Sequence, residues 1–348
     1  MSRKIGFVAT ISMVFLMLNS CAKFSSPPVG SAPTPAQDVV IHPSFSPSVL
    51  FTDLPEGMGP GWGIGFVRPE HLSIFPFDRP QTEEFRLSAG ETFSPYLILG
   101  GNFEESMSVL VTVLLDYQQV SFELDGETGI LHKLDLPPNV NVNLPMKLTI
   151  DQPGAHDLIV IAFADPDDRP LDAETRMLQL HPALAGRRAV VVVGDNENPF
   201  KVLLPEMVGK PPIPESNSDY LRVAFATLPD GRTDIPPADR QFTVTPVSRN
   251  EDFSFQVIAK NEDEEYVEYA MVTFLDFRQV ALNETGVLLA SFGPGEEATF
   301  DGTVHIPDVA GVHELQVVYI LDPYQSILRD EVTAPFVFGS VRVGLQAP

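Results

Sequence analysis

Leu115-Asp116-Tyr117-Gln118-Gln119-Val120 returns 160 residues later as Leu275-Asp276-Phe277-Arg278-Gln279-Val280. Three further blocks follow in the same order, each 157 residues apart. Four blocks in one order, with a single three-residue deletion, indicate a tandem duplication with units of about 130 to 150 residues. The further blocks are Glu127–Gly129 with Glu284–Gly286, Gly154–Leu158 with Gly311–Leu315, and Asp165-Pro166 with Asp322-Pro323.

Each unit has the apolar pattern of β-strands. Short runs rich in β-branched residues are bounded by Gly, Pro, Asn and Asp, as strands are. The 33 prolines argue against long helices, because proline is disfavoured inside them. Short strands separated by turn residues predict an all-β chain with two tandem β-sandwich domains. The runs are Val109–Leu115, Leu158–Phe163 and Ala189–Val193 in the first unit, and Tyr269–Leu275 and Leu315–Ile320 in the second.

The N-terminal residues have the pattern of an export signal. Arg3 and Lys4 precede Ile5–Leu18, a 14-residue run without charge, which is shorter than the ~20 residues of a membrane-spanning helix. The run ends in Leu18-Asn19-Ser20-Cys21, which resembles the lipobox of bacterial lipoproteins. The resemblance implies a lipid on Cys21 and a location outside the cytoplasm, on the cell membrane or the outer membrane. The alternatives are an ordinary signal peptide with an incidental cysteine and an uncleaved N-terminal anchor.

These patterns predict five segments along the chain. Cys21 is the single cysteine, so no disulfide can form within one chain and burial must hold the domains together. Proline and serine are frequent after Cys21, which is typical of an extended tether. The predicted segments are a lipoprotein signal peptide (1–20), a Pro/Ser-rich tether (21–47), a first β-sandwich domain (48–198), a Pro-rich linker (199–218) and a second β-sandwich domain (219–348).

The chain is strongly acidic, with a formal net charge of −25. Removal of residues 1–20 would take away Arg3 and Lys4 and no acidic residue, which moves the charge to −27. Such a surface repels nucleic acid, since nucleic-acid binding depends on Lys and Arg at the phosphates. Basic partners or divalent cations are the natural attractions, and solubility alone is the alternative explanation of the charge.

Asp151–Leu158 resembles the corner between strands E and F of immunoglobulin-like domains. In that family an Asp-x-Gly-x-Tyr pattern places a tyrosine whose hydroxyl bonds the backbone upstream. His156 stands at the tyrosine position here, and His313 repeats it in the second unit. The resemblance implies immunoglobulin-like Greek-key sandwiches without the disulfide, in which both histidines are structural and bond a backbone carbonyl. The alternative is that they serve as metal ligands or bases.

Asp116 and Asp276 interrupt apolar runs at equivalent positions of the two units. Aspartate commonly bonds the backbone of turns, which is the expected role of both. The alternative is a carboxylate pair that serves acid–base chemistry, with the pKa values of the two groups pushed apart.

Asp195-Asn196-Glu197-Asn198 resembles the calcium-binding linker of cadherins, in which Asp and Asn oxygens lie between successive sandwiches. Calcium takes 6–8 oxygen ligands, and this stretch is rich in them. The resemblance implies that carboxylates of a neighbouring loop, Asp165 and Asp167, complete the site. The alternative is a solvated acidic turn.

Gly57–Phe66 alternates glycine with apolar residues around Trp62, the single tryptophan. A glycine-rich loop that presents Trp62 could stack on a sugar or a peptide. The alternative is a flexible crossing beside a core aromatic residue. No glycine-lysine-serine phosphate loop follows the stretch.

The sequence contains no motif that predicts catalysis. It has no Gly-x-Ser-x-Gly, His-Glu-x-x-His or Cys-x-x-Cys pattern. A non-catalytic protein is therefore expected, either a binding or adhesion module with a protein or carbohydrate ligand, or a structural accessory subunit of a cell-envelope complex.

Overall fold

The structure, a computed structural model, describes residues 39–42, 49–50, 61–73, 84–102, 105–178, 184–194, 244–261, 266–282, 285–324 and 337–348. Cys21, the predicted signal peptide and the predicted linker 199–218 lie outside these residues. No helix in the described part of the chain is long and apolar enough to span a membrane.

The first unit forms a sandwich of two sheets. Its inner sheet has the strand order β1-β11-β7-β13-β14-β4, with β8 on β7, and its outer sheet has the order β10-β9-β12-β6-β3, with β2 and β5 on β12. The elements are β1 (Val39–Ile41), β2 (Val49–Leu50), β3 (Gly61–Val67), a 3₁₀ turn (Pro69–His71), β4 (Glu84–Leu87), β5 (Thr92–Phe93), β6 (Tyr96–Asn102), β7 (Met107–Leu115), β8 (Gln118–Val120), β9 (Phe122–Leu124), β10 (Glu127–Gly129), β11 (Leu131–Leu136), β12 (Val140–Thr149), β13 (Gly154–Ala164), α1 (Ala173–Leu178) and β14 (Leu184–Val193).

The second unit repeats this plan with fewer described strands. Its inner sheet has the order β15-β23-β21-β17-β18, with β19 on β17 and β22 on β21, and its outer sheet pairs β16 with β20. The prediction of an all-β chain with tandem sandwiches is confirmed. The strands are β15 (Thr245–Pro246), β16 (Asp252–Lys260), β17 (Val267–Leu275), β18 (Arg278–Val280), β19 (Leu288–Phe292), β20 (Glu297–His305), β21 (Gly311–Leu321), β22 (Val337–Gly339) and β23 (Val343–Ala347).

The two inner sheets pack face to face, so the apolar side chains form three layers. One layer fills each sandwich, and a third lies between the sandwiches. Phe163 lies in the third layer, with its ring centroid 5.6 Å from that of Phe274 and 5.0 Å from that of Phe277 in the other unit. Both sandwiches belong to one compact unit, Ala36–Pro348.

This packing explains why the apolar runs of the sequence are continuous. Residues 158–163 of β13 are buried on both faces of the strand, because one face meets the first core and the other meets the second sandwich. In the outer strand β12, residues 144–149 alternate between buried and exposed positions, as a strand with one solvated face does. Strands that are buried on both faces are therefore characteristic of the two inner sheets.

Strand β1 lies inside the segment for which the sequence predicts a tether, residues 21–47. It pairs in parallel with β11 at the edge of the inner sheet, and the His42 amide continues the pairing by donating to the Lys133 carbonyl at 3.0 Å. Residues 39–42 therefore add an edge strand to the inner sheet of the first sandwich.

Candidate functional site

The first predicted corner is a closed set of hydrogen bonds at the end of β7. Asp116 has a φ of 48°, a left-handed conformation that turns the chain out of the strand. Its backbone amide donates to the Asp157 carbonyl at 2.8 Å, and its Oδ1 accepts the Asp157 amide at 3.0 Å. Its Oδ2 lies 2.7 Å from His156 Nδ1. The other ring nitrogen, His156 Nε2, lies 2.8 Å from the Gln152 carbonyl oxygen.

The second unit repeats the corner contact for contact. Asp276 Oδ2 lies 2.5 Å from His313 Nδ1, and His313 Nε2 lies 3.0 Å from the Val309 carbonyl oxygen. Asp276 also bonds the Glu314 backbone, through its amide at 2.9 Å and its Oδ1 at 3.1 Å. The aspartates of both units thus bind a histidine and, instead of the expected turn backbone, the backbone of a neighbouring strand, β13 or β21.

The two acceptors around His156 favour the charged form of its imidazole. A carboxylate and a carbonyl both accept, so both ring nitrogens must carry a proton for both contacts to be hydrogen bonds. The hydrogen bond to Asp116 raises the pKa of His156 against the effect of burial, with further support from the Gln152 carbonyl. Compared with a free imidazole, His156 is therefore shifted toward its charged form, and it has a structural role at the corner.

Next to the first corner, Asp157 and Arg188 form an ion pair between the sandwiches, with side chains 0% and 1% exposed. Arg188 donates to Asp157 Oδ1 from Nε at 2.9 Å and approaches it with Nη2 at 2.7 Å. Asp157 Oδ2 accepts the Tyr324 amide at 2.6 Å and the Tyr117 hydroxyl. Burial, followed by the Asp157 charge, raises the pKa of Tyr117, so its hydroxyl keeps the proton that it donates.

Arginines at equivalent positions tie each sandwich to the other. Arg188 directly precedes Ala189, which pairs with Leu158. Arg342 directly precedes Val343, which pairs with Leu315, so the two arginines occupy equivalent positions of the repeat. Arg188 Nη1 donates to the Asp322 carbonyl at 2.7 Å, and Arg342 Nη1 donates to the equivalent carbonyl, that of Asp165, at 3.1 Å. The exchange is reciprocal, as it is across the two-fold axis of a symmetric dimer.

A pair of glutamines follows the same reciprocity. The Gln119 backbone amide donates to Gln279 Oε1 at 2.5 Å, and the Gln279 backbone amide donates to Gln119 Oε1 at 2.9 Å. Their Nε2 groups donate to the carbonyls of Phe277 and Tyr117 at 3.0 and 2.8 Å. The repeated sequence block therefore forms the centre of a pseudo-two-fold interface.

The loop after β13 adds contacts that have no described counterpart in the second unit. Arg176 of α1 meets Glu314 in a bidentate pair, with Nη2 to Oε1 at 2.8 Å and Nη1 to Oε2 at 3.1 Å. Arg169 Nη1 donates to Asp276 Oδ1 at 2.7 Å and to the Val312 carbonyl at 2.5 Å. This loop of the first unit therefore clamps the second corner.

The polar groups of the two corners and of the Asp157–Arg188 pair are occupied by one another. Both ring nitrogens of His156 and His313 are engaged, and each carboxylate oxygen of Asp116 and Asp157 has a partner. The arrangement favours a structural role of the corners, in which they hold two sandwiches together, over acid–base work by Asp116 or metal binding by the histidines.

The predicted calcium ligands are divided between described and other residues. Asp195, Asn196, Glu197 and Asn198 lie outside the described residues. Asp165 turns the chain at the end of β13 with a φ of 43°, and Asp167 pairs with Lys133. Among the described residues, no group of three or more His, Cys, Asp and Glu side chains could hold a metal ion.

Trp62 lies on a strand, which corrects the expectation of a glycine-rich loop at this position. In β3 it stands opposite Gly101 of β6, and it packs, half-buried, against the first core together with Ile64. The strand forms because the apolar residues occupy alternate positions and point to one side, with glycines between them. Contact between Trp62 and a ligand stays a prediction.

Sequence reasoning overlooked the arginine and glutamine partners of this interface. Asp157 and Glu314 stand directly before apolar runs, and a buried carboxylate requires a cationic partner, which was a signal for Arg188. Gln119 and Gln279 are identical at equivalent positions of the repeat. The histidine pair His42 and His132 carried no pattern that could be found in the sequence.

Comparison with known proteins adds little to these contacts. No protein-family model matches the chain, and no curated protein matches it. Among solved structures, the chain is similar to red sea bream transglutaminase at 11% identity and a TM-score of 0.22. The similarity covers 83% of this chain, which spans about a third of that structure's length (31%).

Replacement of Arg188 tests the buried ion pair. Arg188→Met leaves the Asp157 carboxylate buried without its cation, so we expect the free energy of unfolding to fall by about 3–5 kcal/mol. Urea denaturation followed by the fluorescence of the single Trp62, which packs on the first core, measures the loss. The matched control is Arg86→Met, which removes an exposed pair with Glu84 and should cost about 0–1 kcal/mol. Equal losses for the two variants would contradict the assignment.

The charge of His156 gives the first corner a pH dependence. Its pKa is raised in the folded state, so its stabilisation is fully present below the unfolded value of about 6.5 and is lost as pH rises through the folded value. We expect His156→Gln to lower the free energy of unfolding by about 1.5–3 kcal/mol at pH 6 and by less at pH 9. Urea titrations at both pH values measure the gap. The control is His305→Gln, at an exposed histidine beside Asp252; a gap for His156→Gln that widens with pH would refute the charge assignment.

Proposed function

We propose that this protein is a non-catalytic binding or adhesion module, displayed outside the cytoplasm through a lipid on Cys21. The observation that carries the proposal is the reciprocal interface of Arg188 and Arg342, which joins the two sandwiches into one body. A module that presents a ligand surface at a distance from a membrane benefits from a rigid body on an extended tether, because less freedom is lost on binding.

The charge of the chain supports the choice of partner. The net charge of −25 favours protein or carbohydrate ligands with basic groups or bound divalent cations, and disfavours nucleic acid. The cationic groups Arg176 and Arg188 are buried within the interface, so they do not offset the acidity of the surface.

The alternative function, an accessory subunit of an envelope complex, would require a broad apolar face for its neighbours. The apolar faces of the two inner sheets cover each other. In the described ranges, the large apolar side chains that remain exposed come from five separate segments. They are Val39 with Ile41, Leu171, Tyr266, Val309 and Phe338. This distribution supports the binding module.

Replacement of Cys21 tests the anchor. We expect Cys21→Ser to move the protein from the membrane fraction to the soluble fraction and to abolish incorporation of labelled fatty acid, because the lipid requires the thiol. Acyl chains add ~0.8 kcal/mol of membrane affinity per buried CH₂. Lys23→Ala, two residues away, is the control and should stay with the membrane. Membrane association of Cys21→Ser equal to that of the native chain would argue for an uncleaved helix instead.

Affinity capture from native membranes tests the binding function. With the mature full chain as bait, we expect one specific protein or carbohydrate to be retained and to be released by salt, because its attraction to an acidic surface is screened. The Arg188→Met variant, with its interface weakened, should retain less of that partner. Capture of nothing beyond the empty matrix would contradict a binding module, as would equal capture by a scrambled acidic polypeptide.

A further inference from the structure

Strand β1 is held to the first sandwich by few contacts. It has three residues, is paired on one side with β11, and exposes Val39 and Ile41. Strands this short contribute little through their own backbone pairing. The side chain that follows them, His42, is instead buried, with 6% of its surface exposed. The attachment of β1 therefore depends strongly on His42.

His42 makes direct contact with a second buried histidine. His42 Nε2 lies 2.8 Å from Nδ1 of His132 in β11, and His132 is fully buried. The Phe122 ring lies 4.4 Å from the His132 ring, and the Phe122 carbonyl oxygen lies 3.2 Å from His132 Nε2. Both nitrogens of His132 are thus committed to named partners.

The geometry of this pair requires one hydrogen between the two facing ring nitrogens. The Phe122 carbonyl accepts, so His132 Nε2 must carry a hydrogen, and the neutral ring then offers a lone pair at Nδ1. His42 Nε2–H donates to that lone pair. A further proton on His132 Nδ1 would place a charge in a fully buried site, and the contact would persist only with the hydrogen of His42 moved from Nε2 to Nδ1. The requirement for a neutral His132 therefore comes from its burial.

The charged groups around the pair do not offset this requirement. Burial, with the neighbouring His42 as the second cause, lowers the pKa of His132 to about 4 against the opposing effect of the Phe122 and Gly129 carbonyls. Burial also lowers the pKa of His42, while Asp125 and Glu127 of the β9–β10 hairpin oppose that shift. Lys133, the next residue of β11, is paired with Asp167. Among the described residues, no carboxylate contacts His132.

We propose that the His42–His132 pair is an acid-sensitive latch, which docks β1 on β11 at neutral pH and releases it on acidification. Release uncovers the outer edge of β11, whose other edge is paired with β7. The latch is independent of the lipid on Cys21 and of any ligand.

The direction of the effect follows from proton linkage. A histidine whose pKa is lowered on docking favours the docked state above its free value of about 6.5, and that preference disappears as pH falls toward the docked value. For His132, with a docked pKa of about 4, the docking equilibrium weakens by at most about a hundredfold between pH 7 and pH 4, the limit being a ring that is fully hydrated after release.

Hydrogen exchange on the full chain tests the latch. Protection of the amides of residues 40–42, corrected for intrinsic exchange rates, should fall at least tenfold from pH 7 to pH 4, while that of residues 158–163 persists. His132→Gln keeps a donor for the Phe122 carbonyl and an acceptor for His42 but cannot charge, so its drop should be smaller than tenfold. His305→Gln, at an exposed histidine, should behave like the native chain.

Each result decides the matter. A drop smaller than tenfold in the native chain or in His305→Gln, or a tenfold drop in His132→Gln, overturns the latch. If circular dichroism shows that His132→Gln is unfolded at pH 7, the His42→Leu/His132→Leu variant takes its place with the same expectation. An NMR titration of the native chain adds a measurement without substitution, since a His132 midpoint as high as that of His305 also overturns the latch.

Discussion

The Asp157–Arg188 pair lies between two apolar sheets, and the arrangement of both sandwiches follows from the need to satisfy it. A buried carboxylate and a buried guanidinium cost several kcal/mol each unless every donor and acceptor is matched. Asp157 is matched by groups of both units, the Tyr117 hydroxyl of its own and the Tyr324 amide of the other. Arg188 likewise uses the Asp322 carbonyl of the second unit. Neither sandwich can satisfy the pair alone, so the pair fixes how one lies on the other.

The two repeats share the geometry of this interface more closely than they share its residues. Phe277 replaces Tyr117 in the second unit and has no hydroxyl to offer Glu314, the counterpart of Asp157. Arg176 supplies the missing donors from α1 in a bidentate contact, which suits a guanidinium and a carboxylate. A pseudo-symmetric interface can therefore lose a donor in one unit without leaving a buried charge unpaired.

The strands and the turn aspartates were predicted from patterns of neighbouring residues. The repeat was predicted from sequence blocks that recur in the same order. The face-to-face packing was accessible but overlooked. The unbroken apolar run of β13, beside the alternating pattern of β12, indicates a strand covered on both faces. The contact between His42 and His132 could not be predicted, since it joins residues 90 apart and depends on the register of β1 with β11. Long-range register is the information that one sequence does not contain.

The same packing limits where recognition can occur. Residues on the inner faces, such as Phe163 and Phe274, are covered by the opposite sandwich, and the corner histidines have both nitrogens engaged. A binding module of this architecture must therefore use its outer sheets, strand edges and loops. Among the described strands, β3 ends the first outer sheet, and a side chain added at Gly63 or Gly65 would meet open space on the face of that sheet. A face with bare backbone admits a ligand closer to the main chain than side chains would allow.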